Sequence, residues 1–142
     1  MTHHSLSASV THLELGQWGE GLATSYLKQN GYQIIARNVT LPLGRTPEGT
    51  PITGELDIVA LDGQTLVFVE VKTRSSDELA LPEAAVTPAK QRKLARTARR
   101  YRRLIGPVDV PYRFDVVSIV ASGQVAPKIK LLKNFFEVAT AN

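Results

Sequence analysis

Residues 54–72 read GELDIVALDGQTLVFVEVK, two apolar runs of strand length on either side of Asp62-Gly63. An Asp-Gly pair between such runs is the strongest short-range signal for a β-hairpin. The two strands nevertheless carry Asp57, Glu70 and Lys72 inside their apolar stretches. Side chains alternate along a strand, so Val67, Val69 and Val71 form one face, fit for a core, and Glu70 and Lys72 lie on the other. If Asp62-Gly63 is a two-residue loop, Asp57 falls opposite Phe68 and diagonal to Glu70. If the loop is Asp62 to Thr65, or its central pair is Gly63-Gln64, Asp57 falls directly opposite Glu70. Either register keeps Asp57, Glu70 and Lys72 on one face, and only an odd-length loop without a bulge would part them. Taking a carboxylate out of water costs on the order of several kcal/mol unless a partner or a metal compensates.

The rest of the chain limits what can surround this hairpin. At 142 residues and 43% hydrophobic it can build one compact core and is too short for two ordinary domains. The first twelve residues are polar and small, with His3 and His4 adjacent, and read as a flexible tail ahead of a single domain over 13–142. No apolar run approaches the roughly 20 residues needed to span a bilayer, and the start lacks a secretory segment, so a soluble cytoplasmic protein without a membrane partner is expected. The absence of cysteine excludes disulfides, thiolate ligands and a cysteine nucleophile, and leaves only oxygen or histidine ligands for a metal.

Leu15, Trp18, Leu22 and Tyr26 mark one face of a first helix over 11–30, with Glu20 in its middle and Gly31 placed to close it. A strand follows over 32–38, and 41–53, rich in Pro and Gly, reads as a loop. After the hairpin, 75–86 reads as irregular. Thr87 is the expected N-cap and Pro88 the first residue of a second helix, with Leu94, Ala98, Tyr101 and Ile105 as its inward stripe and Gln91 on the inward side near its start. Two further strands flank Ser122-Gly123. The order α-β-β-β-α-β-β predicts a mixed β-sheet flanked by helices, an α/β fold.

Charge is concentrated on the second helix. Eight of the seventeen Lys and Arg lie between Lys90 and Arg103, and no acid occurs from Ala84 to Val108. Two carboxylates on adjacent strands suit Mg²⁺ or Mn²⁺, which prefer oxygen ligands and keep waters, one of which can attack a phosphodiester. Lys72, beside two acids that favour its charged form, fits stabilisation of charge at phosphorus better than a base role. A basic helix supplies Arg92, Lys93, Arg96, Arg99, Arg100 and Arg103 as candidate contacts to the phosphates of DNA. The same charges also fit a solvated sheet face and a solvated helix face. Only their joint occurrence favours a phosphodiesterase.

The stretches GQWGEGLATSYLKQNGYQIIARN, GELDIVALDGQTLVFVEVKTRSS, KQRKLARTARRY and RFDVVSI together resemble the YraN-like family of small bacterial proteins. That family is grouped with the Holliday junction resolvase-like endonucleases of the PD-(D/E)xK superfamily. The resemblance spans residues 14–138 and implies a restriction-endonuclease-like core and a Mg²⁺-dependent nuclease acting on DNA, including branched DNA. A nucleic-acid-binding module that keeps the fold without catalysis is the alternative. By the resemblance, Glu20 matches the acid that resolvase-like nucleases carry on the first helix, Asp57 the first strand acid, and Glu70 and Lys72 the (D/E)xK pair. Glu55 belongs to the GE-x-D motif in a supporting role, and Gln91 resembles a helix glutamine of related nucleases. Arg113 and Asp115 also match the family pattern, and an ion pair from Asp115 to the basic helix is a further expectation. Resolvase relatives are dimers, which implies a homodimer by analogy. Fifteen residues separate Asn38 from Gly54 where family members use a few.

Overall fold

The structure is a computed structural model that describes residues 12–75, 86–106, 109–123 and 125–137. The expected N-terminal tail (1–11) and most of the irregular segment after the hairpin (76–85) lie outside the described residues. The elements are α1 (His12–Gln29), β1 (Gln33–Arg45), β2 (Pro51–Asp62), β3 (Thr65–Ser75), α2 (Pro88–Leu104), β4 (Tyr112–Ser122) and β5 (Val125–Phe136). The strands form one sheet in the order β1-β2-β3-β4-β5. β3 and β4 run parallel, connected across α2, and the other neighbours are antiparallel. This mixed sheet with two helices is the α/β nuclease-like architecture expected from the sequence.

Alternation divides the core between the two helices. Ile58, Ala60, Val67, Val69, Val71, Val117 and Ile119 face α1, which buries Ala23 and Leu27 against them. Val59, Leu66, Phe68, Phe114 and Val116 face α2, which contributes Leu94 and Ala98. α1 can approach closely because Gly19 is buried against Thr73, whose side chain occupies the space that a Cβ at Gly19 would need. It ends at Gly31, φ +86, with Tyr32 N–H donating to Leu27 C=O (2.9 Å) and Gly31 N–H to Lys28 C=O (3.1 Å), the paired bonds of a Schellman motif. At the start of α2, Thr87 Oγ1 accepts from Lys90 N–H at 3.2 Å, with Pro88 as the first helical residue.

Three expectations change. Residues 41–53 are not a loop: β1 continues to Arg45 and β2 begins at Pro51, so the two strands form a long arm closed by a turn at 46–50. Proline is tolerated because β1 is an edge strand, Pro42 sits at a bulge and Pro51 opens its strand. Ile105 leaves the inward stripe: it caps α2 and is 47% exposed, while Thr97, about two turns earlier on the packed side, is fully buried. Asp115 does not brace the basic helix. It is fully buried on the α1 side and accepts from Arg113 Nε (2.9 Å), Arg113 Nη2 (3.1 Å), Tyr32 Oη (2.9 Å) and Asn134 N–H (2.9 Å). Arg113 Nη2 also donates to Asp62 Oδ2 at 2.6 Å, so this network joins α1's exit to β2, β4 and β5.

Candidate active site

The β2–β3 register is Asp62↔Thr65 through Ile58↔Val69. It corresponds to Gly63-Gln64 as the central pair, with Gly63 at φ +62. Continued by one residue, it sets Asp57 opposite Glu70, the second of the two registers. The ladder stops there because Asp57 replaces it: Val71 N–H donates to Asp57 Oδ2 at 2.8 Å instead of to a backbone carbonyl. Asp57 is therefore anchored through one oxygen, and its carboxylate lines the space in front of it beside Glu70.

That space is a cleft of about 280 Å³ between the sheet and the first turns of α2. Glu55, Asp57 and Glu70 line it from the sheet, and Lys90 and Lys93 from the helix. The helix seats closely because Gly54 of the GE-x-D stretch lies under Thr97, where any Cβ would collide with the threonine side chain. Glu70 Oε1 is 3.4 Å from Lys72 Nζ and 3.7 Å from Lys90 Nζ. Burial and the neighbouring Asp57 carboxylate nevertheless push Glu70 up to about 7, against the pull of Lys72 and Lys90. Burial also lowers the pKa of Lys90, with Lys72 adding to the effect and Glu70 and Asp57 opposing it.

Glu20 approaches from α1. Burial and the Asp57 charge raise its pKa, and a hydrogen bond from Asn38 lowers it. In the amide orientation that satisfies both groups, Asn38 Nδ2 lies 2.6 Å from Glu20 Oε2. Asn38 is in the left-handed region at φ +52 and lies, in the β1–β2 register, between Arg37↔Ile58 and Val39↔Leu56, level with Asp57. Asn38, Asp57 and Glu70 thus stand in one row across three strands, with Glu20 tied to its outer end.

Among the described residues no three His, Asp or Glu side chains are drawn together closely enough to enclose a metal by themselves. The donor set does suit a cation that keeps its waters: two adjacent carboxylates, one of them pushed up to about 7 by burial and by the charge of the other. Gln91 does not line the cleft; its Nε2 donates to Val86 C=O at 3.0 Å and holds the entry to α2. Of the basic residues, Lys93 faces the acids, Arg92 is exposed, and Arg96, Arg99, Arg100 and Arg103 line a separate groove. Arg102, outside the candidate set, stacks on Tyr112 at 3.9 Å.

Two residues of the site escaped the sequence reading. Lys90 is four residues before Leu94, on the inward stripe, and a cation on an apolar stripe was a legible signal. Asn38 carried only a weak one, a polar residue at the end of a strand segment.

The profile of the Uncharacterised protein family UPF0102 matches residues 19–119. A UPF0102 protein of Geobacter sulfurreducens is 44% identical over 125 residues, covering 88% of this chain and 90% of its own length. Its counterpart in Geotalea uraniireducens is 41% identical, covering 88% and 91%. One from Symbiobacterium thermophilum is 42% identical, covering 86% and 95%. With the acids of its GE-x-D and VEVK stretches brought together on adjacent strands, the chain belongs to the UPF0102 family, the YraN group that its motifs resemble.

Proposed function

We propose that this protein is a Mg²⁺- or Mn²⁺-dependent nuclease that hydrolyses phosphodiester bonds in DNA, branched DNA included, in the cytoplasm. One observation carries the reading: Asp57 and Glu70 line one cleft from adjacent strands, where burial and Asp57 push Glu70 up to about 7 although two lysines stand within 4 Å of it. A folded chain that holds two carboxylates against each other leaves a site that a divalent cation would relieve. Asp57 and Glu70 would hold the ion, with Glu20 reaching it through water. Bound there, it would polarise the phosphodiester and acidify a water. Lys72 offers its charge to the negative charge developing at phosphorus, and Lys90 and Lys93 draw the backbone into the cleft. The hydrogen bond from Asn38 favours the ionised form of Glu20, against burial and Asp57, and holds it in place.

A second reading has its own support. With Lys72 and Lys90 at 3.4 and 3.7 Å, Glu70 is already compensated without a metal, as a non-catalytic nucleic-acid-binding module requires. Incubation with labelled linear, single-stranded, flap and four-way DNA in Mg²⁺, Mn²⁺ or EDTA separates the two. Cleavage that needs the metal and falls at least about 100-fold in Lys72→Ala supports the nuclease. Binding that is indifferent to metal and to Glu70→Gln, with no cleavage of any substrate, leaves the binding module.

A further inference from the structure

The long arm formed by β1 and β2 has a partner. Residues 42–44 of the arm and Arg96, Arg99, Arg100 and Arg103 of α2 enclose a groove of about 510 Å³, larger than the acidic cleft and lined by none of its acids. Its two walls are fastened together: Arg96 Nη2 donates to Leu43 C=O at 2.6 Å. Gly44, at φ +135, brings the arm beneath that guanidinium, 3.6 Å from where its Cβ would be. Arg99, Arg100 and Arg103 are exposed, and no acid among the described residues forms an ion pair with them. Like charges gathered on one helix face repel one another, so an unneutralised row beside a fixed wall is suited to an anion that repeats.

We infer that this groove seats one sugar–phosphate backbone of duplex DNA, outside the acidic cleft, with the β1–β2 arm as its second wall. Arg99 and Arg103 are one helical turn apart, ~6 Å along the axis, which matches neighbouring phosphates on a strand. Among the described residues no aromatic side chain lines the groove, so they offer it none of the stacking platforms by which proteins hold single strands. Contacts of this kind position a duplex without reading its sequence. Arg96, tied to the arm, is a positioning residue that fixes the width of the groove. The inference rests on the nucleic-acid part of the proposed function and is independent of cleavage.

The test is binding of a short fluorescent duplex in EDTA, followed by anisotropy between about 50 and 200 mM salt. Arg99→Ala/Arg103→Ala should weaken binding at least about tenfold and lower the salt slope by about 2, one for each lost phosphate contact. Lys128→Ala/Lys130→Ala removes the same charge from exposed positions of β5 and should change the slope far less. Pro42→Glu removes no cation but sets a carboxylate on the arm, and should weaken binding too. The same variants should affect single-stranded DNA less than duplex. An arginine pair no more damaging than the lysine pair overturns the inference, and so does indifference to Pro42→Glu, which would leave α2 as an open basic face without a second wall. Equal losses for single strands and duplex overturn the choice of occupant. Groove-dependent binding without metal-dependent cleavage defeats the nuclease and upholds the groove.

Discussion

Two carboxylate clusters lie on opposite faces of the same sheet, and they are built on opposite principles. At Asp115, on the α1 side, the oxygens accept four hydrogen bonds, from Arg113 twice, Tyr32 and Asn134, so a fully buried charge has nothing left to bind. At Asp57 and Glu70, on the α2 side, two acids face each other, one anchored through a single oxygen and the other pushed up to about 7. The first cluster is complete as a structural joint. The second sets two acids side by side with lysines at 3.4 and 3.7 Å, and the proposed metal site rests on that arrangement. The distinction lies in how the partners are counted and not in burial, since Glu70 is itself only 11% exposed.

The largest expected effect contrasts single neutralisations. Asp115→Asn removes the buried charge, turns one of its two accepting oxygens into a donor, and leaves Arg113 with Asp62 as its only carboxylate partner beside the Tyr32 hydroxyl. The cost should be about 3 kcal/mol, a fall in melting midpoint on the order of 10 °C. Glu70→Gln relieves a like-charge contact and should leave the midpoint unchanged or raise it. Thermal unfolding of both variants measures this, and similar losses would erase the difference between the clusters.

The metal response is next in size. Mg²⁺ or Mn²⁺ at about 100 times its dissociation constant should stabilise the wild type by about 2.7 kcal/mol through mass action. Glu70→Gln and Asp57→Asn should lose most of that shift, and a destabilised but folded Asp115 variant should keep it. A full shift in Glu70→Gln would sink the assignment of the metal to this pair.

How far the sequence disclosed this arrangement varies with the physical signal. The hairpin, the N-cap of α2 and the valine face of β3 were legible because turn chemistry, capping and period two are local. Asp57 opposite Glu70 was one of two registers that the turn allowed. The arm over 41–53 was not legible, because Pro42, Pro47 and Pro51 read as breakers until the sheet order places β1 at an edge. The role of Asp115 depends on residues as distant as Tyr32 and Asn134, and no local pattern could reveal it. Lys90 was legible as a cation on an inward stripe, but it was absorbed into the charge of the helix as a whole.

The clusters should also respond to pH with opposite signs. Glu70 has a folded pKa of about 7 against an ordinary 4.5. Between those values the unfolded chain releases a proton that the folded chain keeps, so rising pH lowers stability across this window. The hydrogen bond from Arg113 lowers the pKa of Asp62, although burial opposes it. Its contribution is present above its ordinary pKa of 3.8 and is lost as pH falls through the folded value. Metal-free melting midpoints should therefore decline from pH 4.5 to 7 in the wild type and flatten in Glu70→Gln, with the acid limb below pH 4 retained. A decline that survives Glu70→Gln would assign it to another group, Glu20 first.

The smallest effect probes the outer end of the acidic row. Asn38 has two duties: it occupies the left-handed region, where most side chains are strained, and its amide donates to Glu20. Asn38→Gly preserves the first and removes the second, because glycine adopts φ +52 without steric cost. The change in stability should stay within about 1 kcal/mol, the net worth of one solvent-accessible hydrogen bond. Without that bond, burial and the charge of Asp57 raise the Glu20 pKa further, so less of the carboxylate is ionised in mildly acidic solution. The metal-induced shift in midpoint should then fall further below the wild type as pH is lowered and approach it as pH rises. Asn38→Ala would confound the two duties, since strain at a positive φ lowers stability whatever becomes of Glu20. A metal shift in Asn38→Gly that equals the wild type across the whole pH range would detach Glu20 from the metal and reduce the site to Asp57 and Glu70.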